Sequence, residues 1–208
     1  GLYSDQNENA MRRVLNAARS VATNDIKFAI QLGHAGRKAS HHVPWQGGRA
    51  LSKEEDAWVT VAPSALPFTQ GSPIPEALDR DEMQKIKQNF VNAAKRAVRL
   101  GYSAIELHGA HGYLIHEFIS PISNKRDDEF GGSLDNRLKF PSEIFEEVRK
   151  VVPSEIALGL RLTGTDWRDD GLSLEDAKNV AKSFEAQGAD YLCISSGGIT
   201  TGLKIPVE

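Results

Sequence analysis

The stretch ELHGAHGYLIHEF, Glu106 to Phe118, sets His108 and His111 three residues apart, Tyr113 two further on and His116 three beyond that, straight after the apolar run YSAIEL. A neutral imidazole can ligate a metal, donate a hydrogen bond to an oxygen, or carry a proton. A phenol, with a reference pKa near 10, stays protonated at neutral pH and can give its proton away. The spacing alone leaves three readings open for His108 and His111: a metal site, a clamp on a substrate oxygen, or a structural pair.

Residues elsewhere weigh on that choice. A catalytic zinc site asks for a third His, Asp, Glu or Cys aimed inward from another strand, and the other apolar runs end instead in Gln31 and Arg161. Arginine keeps its proton and repels a cation, which disfavours a metal and favours an electron-rich or anionic ligand. Gln31 offers a donor and an acceptor, Arg161 a fixed fork of donors. Together they suit the edge of a planar heterocycle with alternating carbonyl oxygens and ring nitrogens, such as a flavin pyrimidine ring. On these two residues alone, ordinary structural roles compete with that reading.

The elements that must position these residues follow from periodicity. Met11, Val14, Leu15, Ala18, Val21 and Ala22 predict a helix with one buried face, capped by Asn7 or Asn9. IKFAIQLG (Ile26 to Gly33) reads as a strand covered on both faces. From about 34 to 80 the pattern dissolves into Gly, Pro, Ser, His and Trp, a long loop or lid. A helix from Asp81 to Leu100 stops at Gly101. The strand YSAIELHG, a helix from about Asp135 to Val151, the strand EIALGLRLT, a helix capped by Ser173 with Asp176 three later, and the strand DYLCISSGG complete the chain. Strands alternating with helices predict a parallel sheet. Gln31, His108, Arg161 and Ser195/Ser196 all fall at or near strand C-terminal ends, the pattern of a (β/α)8 barrel, and no G-x-G-x-x-G follows any strand. A complete barrel needs about 250 residues, so about four β/α units are expected here.

Composition narrows the classes further. With 208 residues, 40% apolar and 25% charged, the chain is globular by composition, and a net charge of −3 with interleaved signs argues against nucleic acid as a partner. The single cysteine, Cys193, reads as a small buried hydrophobe in a reducing, cytoplasmic compartment, and no run is long enough to span a membrane. The start at Gly1 suggests a trimmed or partial sequence.

The segments QLGHAGRKAS, ELHGAHGYLIHEFISPISNKRDDEFGGSLDNR and LRLTGTDW, with GLSLEDA and YLCISSGG, resemble the Old Yellow Enzyme family of FMN-dependent ene-reductases, and most of all its NADPH dehydrogenase and xenobiotic reductase branch. The resemblance runs along nearly the whole chain and implies a (β/α)8 barrel of which residues 1–208 form an internal portion, roughly the third to sixth β/α units. It implies FMN and NADPH as cofactors and an enone as the small-molecule substrate. Gln31 would contact the flavin pyrimidine ring and Arg161 its N1/O2 edge; His108 and His111 would hold the substrate carbonyl and Tyr113 would donate the proton, with no metal. The residues holding the FMN phosphate would lie outside this sequence. The complete protein is expected to be a homo-oligomer. His116 reads as packed, and Arg126, Asp127, Glu129 and Arg137 as an ion-paired loop staple; His34 and Arg37 border the site without an assigned role. The rival reading is a flavin-free half-barrel acting as an association module, with IKFAIQLG and DYLCISSGG as open sheet edges. With those edges unpaired, the isolated 208-residue chain is expected to bind FMN poorly and to self-associate.

Overall fold

The computed structural model describes residues 1–23 and 25–202, with the side chain of Pro44 left aside. Helix α1 (Asp5–Val21) opens the chain and is followed by β1 (Ala29–Leu32); the long connection holds short 3-10 turns and two two-residue strands, β2 (Val61–Ala62) and β3 (Glu76–Ala77). Then come α2 (Arg80–Leu100), β4 (Ala104–Gly109), α3 (Leu114–Ile119), α4 (Leu134–Arg149), β5 (Ala157–Thr163), α5 (Leu174–Ala186) and β6 (Tyr191–Ser195).

β1, β4, β5 and β6 form one parallel sheet in that order, with β2 paired to β3 apart from it. Each long strand lies beside the next one in sequence, so the chain winds in one direction. A doubly wound sheet reverses its strand order at a switch point; a barrel does not. The sheet is thus an arc of a (β/α)8 barrel. Leu32, Leu107, Leu160 and Leu192 share one register row. With Ile105, Leu158 and Leu162 they meet Phe90, Ile144, Phe145 and Phe184 from the helices in one apolar core.

Local chemistry sets the helix ends. Asp79 caps α2 in a capping box with Glu82, and Gly101 ends it at φ +75, where a left-handed residue is needed. Ser173 and Asp176 form the expected box on α5. The cap of α1 is Ser4, not Asn7 or Asn9: its side chain accepts from the Asn7 amide. Only part of the predicted apolar face of α1 is covered. Leu15 is buried, whereas Val14 and Val21 are exposed; among the described residues α1 packs chiefly on α2, through Glu8 against Arg96 and Arg99. β1 is shorter than Ile26–Gly33 and largely uncovered, with Leu32 its one buried residue; among the described residues it pairs with β4 alone.

Candidate active site

In a pleated strand alternate side chains share a face. His108, Arg161 and Cys193 are register partners on β4, β5 and β6, which places them in one row near the strand C-terminal ends. Gln31 lies one row below, opposite Glu106. Cys193 is half-buried rather than buried; among the described residues β6 pairs with β5 alone.

After β4 the chain turns sharply. His111 takes φ +59 and Gly112 φ +72. A Cβ on Gly112 would stand 2.2 Å from the Gly198 carbonyl oxygen, so only glycine lets this turn press on the 197–199 loop. His111 is fixed at three points: its amide donates to Thr163 Oγ1 (3.2 Å), its carbonyl accepts from Lys38 Nζ (2.9 Å), and its Nε2 stands 2.6 Å from Ser195 Oγ. The turn brings three rings together. His108 lies edge-on to His111 at 5.1 Å and to Tyr113 at 4.8 Å between centroids. The two histidines and the tyrosine singled out from the sequence therefore form one cluster at the end of β4.

Electrostatics hold the imidazoles neutral. Burial, then repulsion of a proton on His108 by His111, Arg161, His116 and Lys38, pushes His108 down to about 4; burial, then Arg161, His116 and Lys38, lowers His111. His108 Nδ1 and Arg161 Nε are buried with no hydrogen-bond partner among the described residues. Unmet buried polar atoms at a strand end call for a ligand or water to meet them.

Below the cluster lies a polar layer that periodicity could not reveal. His116 and Asp166 are fully buried with Nε2 and Oδ1 3.0 Å apart. Because His116 Nδ1 accepts the Gly112 amide at 2.8 Å, its proton sits on Nε2, facing Asp166. Asp166 also accepts from Ser120 Oγ (2.6 Å) and the Leu172 amide (2.8 Å). His116 is packed, as expected, and it also ties down the turn that carries His111. Glu117 is fully buried beside it, accepts the Arg37 amide at 3.0 Å, and is pushed up to about 8 by burial against the opposing pull of Arg37 and Lys38. Arg37, itself buried, donates to the carbonyls of Leu66, Pro67 and Ile199. The sequence signal was present: polar His116 and Glu117 sit inside an otherwise wholly apolar YLIHEF.

The loop staple exists with other partners than expected. Arg126 pairs with Asp128 at 2.6 Å, Glu129 with Arg80, and Arg137 donates to the Ile119 carbonyl at 2.7 Å and to that of Gly132. Asp127 is exposed at the loop surface. A groove of about 610 Å³ follows β1, lined by Gln31 and His34 but by neither His108 nor Arg161. Among the described residues no group of three or more His, Cys, Asp or Glu is placed to hold a metal ion, and no helix is long and apolar enough to cross a membrane.

Residues 1–206 match the NADH:flavin oxidoreductase / NADH oxidase family. An NADH:flavin oxidoreductase of Gibberella zeae is 38% identical over the whole of this chain and 53% of its own length. An NADPH dehydrogenase of Geobacillus sp. is 38% identical over 96% of this chain and 53% of its own. An Old Yellow Enzyme structure from Pichia sp. superposes with a TM-score of 0.74 at 25% identity, covering 93% of this chain and 52% of that one. The chain thus spans about half the length of the curated relatives it matches. With the one-way winding of its sheet and the polar row at its strand ends, the chain belongs to the NADH:flavin oxidoreductase / NADH oxidase family of (β/α)8-barrel flavoenzymes, whose cofactors are FMN and NAD(P)H.

Proposed function

We propose that this chain supplies the flavin- and carbonyl-binding face of an FMN-dependent ene-reductase that uses NADPH to reduce the C=C bond of α,β-unsaturated carbonyl compounds. The observation that carries this reading is the cluster of His108, His111 and Tyr113 rings, with neutral imidazoles, one row above Gln31 and beside Arg161. The residues fit FMN. Arg161, whose Nε is buried without a partner, would lie towards the electron-rich edge of the ring, and the Gln31 amide, exposed on β1, would hold its pyrimidine side. Bound FMN, once reduced by NADPH, supplies the hydride for the substrate's β-carbon.

This chain's own residues do the rest. Arg161 compensates negative charge on the ring edge, a charge-assisted contact of about 1.5–3 kcal/mol. His108 and His111 donate to the carbonyl oxygen where charge develops, in the manner of an oxyanion hole. His108 is the freer of the two; at His111 the substrate oxygen competes with Ser195 for Nε2. Tyr113 gives its proton to the α-carbon, a contribution on the order of 10²–10⁴-fold. The cations Arg161 and Lys38, which lower both imidazoles, are poor company for a metal ion.

The rival, a flavin-free association module, draws on the unpaired sides of β1 and β6. The visible absorption spectrum of the full-length protein separates the two, since bound FMN is yellow. Tyr113→Phe then tests the chemistry: enone binding should survive while enone turnover falls on the order of 10²–10⁴-fold. Equal losses in binding and turnover would count against Tyr113 as the donor.

A further inference from the structure

One row below His108 and Arg161 the sheet carries a second polar layer. Gln31, Glu106, Gly159 and Tyr191 are register partners across all four strands. Each stands two residues before its counterpart in the upper row, so the side chains of both rows share one face. Glycine at 159 lets the row close, because a Cβ there would stand 2.5 Å from Cε1 and Cζ of Tyr191. The Tyr191 ring therefore lies over β5, towards Glu106. Burial, followed by the Glu106 carboxylate, pushes the Tyr191 phenol up to about 12. On the other side, Gln31 Nε2 donates to Glu106 Oε1 at 2.6 Å.

An ionised carboxylate accepts hydrogen bonds and donates none, whereas a glutamine amide has a donor end and an acceptor end. The end of Gln31 that meets Glu106 must be its NH2 group, which settles an orientation that atomic positions alone leave ambiguous. The carbonyl oxygen is then the atom turned away. The geometry points to Glu106 as a positioning residue that fixes the Gln31 amide with its oxygen outward, so that the ligand edge read by Gln31 must present an N–H donor. This rests on the flavin reading above, and the imide N3–H between the two pyrimidine carbonyls is such a donor. Without Glu106 the amide can turn over and offer its NH2 end to an N–H, a mismatch.

The N3–H of the flavin in the FMN-loaded protein reports the orientation directly. Its ionisation midpoint is followed by absorbance during titration with base, in the wild type, Glu106→Leu, Gln31→Leu and the double variant. An N3–H donating to a fixed carbonyl oxygen resists deprotonation. Glu106→Leu should therefore lower the midpoint and weaken FMN about five- to tenfold, the scale of one hydrogen bond. Both effects should vanish when residue 31 is already leucine, as coupling through one side chain requires. The same shift in both backgrounds would mean that Glu106 acts on the flavin by charge, and overturns the inference. Full-length wild-type protein that binds no FMN sinks the cofactor reading and this inference with it; FMN binding without coupling sinks the inference alone. A ligand-free measurement keeps the test independent of flavin binding in the leucine variants. The Gln31 side-chain NH2 resonances should move between wild type and Glu106→Leu, and resonances left unchanged would overturn the assignment.

Discussion

Leu162 on β5 and Ile194 on β6 are register partners, yet Leu162 is 2% exposed and Ile194 58%. The two residues are chemically alike; what differs is the sheet around them. β4 and β5 have neighbours on both sides and helices over them, while among the described residues β1 and β6 each have one neighbour. The same contrast holds for the polar groups. In the centre, His108 is buried and His111 is anchored by Thr163, Lys38 and Ser195. At the edge, Gln31 is exposed and held by Glu106. The difference teaches that the chain itself preorganises the ring cluster proposed to bind a carbonyl, while the edge proposed to face the flavin relies on a neighbouring strand or ligand to cover it.

The widest gap between centre and edge should come from one substitution made in both places. Leu162→Lys buries an unpaired charge and should cost more than about 4 kcal/mol, enough to prevent folding, as circular dichroism would show. Ile194→Lys, by contrast, closes the series of effects below.

Next in size is the pH response of the central cluster. Folded His108 titrates near 4, below the ordinary imidazole value of 6.5, so as pH falls the unfolded chain takes up the proton first. Its stabilisation is complete above pH 6.5 and is lost between 6.5 and about 4, up to about 3 kcal/mol. Glu117 acts with the opposite sign. Its folded value near 8 lies above the ordinary 4.5, so the unfolded chain ionises first and stability falls as pH rises from 4.5 to about 8. Urea denaturation at pH 5, 6.5 and 8 should show Glu117→Gln gaining on the wild type as pH rises. A constant difference across the three would place the Glu117 titration outside this window.

Arg161→Ala sits where centre meets ligand. It should weaken FMN by about 10- to 100-fold and make the bound flavin harder to reduce, with Arg161→Lys only a partial rescue because a point charge cannot replace a fork. An unchanged flavin potential in the alanine variant would remove Arg161 from the N1/O2 edge. The smallest effect belongs to Ile194→Lys: stability should stay within about 0.5 kcal/mol, while self-association measured by sedimentation should decrease, since a lysine on an exposed edge opposes pairing.

What the sequence could and could not disclose follows the range of the interactions. The Gly101 stop and the Ser173–Asp176 box depend on residues a few positions apart and were legible. Ser4 was missed because Asn7 and Asn9 satisfy the same local rule, and only the helix's true start decides among them. Strand alternation foretold that His108 and Arg161 end their strands, but not that they would be direct neighbours. Pairs made across long separations, Arg37 with Glu117 and His116 with Asp166, left no periodic trace. Nor could alternation show that His111 would already have Ser195 as a partner.

The central claim is that the His108–His111–Tyr113 cluster holds a carbonyl oxygen. Its most direct test is the dissociation constant of a phenolic or enone ligand for the FMN-loaded protein, compared between wild type and His108→Ala, with and without a chelator. The account predicts weaker binding by about tenfold or more, on the scale of one hydrogen bond to an oxygen bearing charge, with NADPH-driven reduction little changed and the chelator without effect. Unaltered ligand affinity in His108→Ala, or activity abolished by chelation, would contradict it.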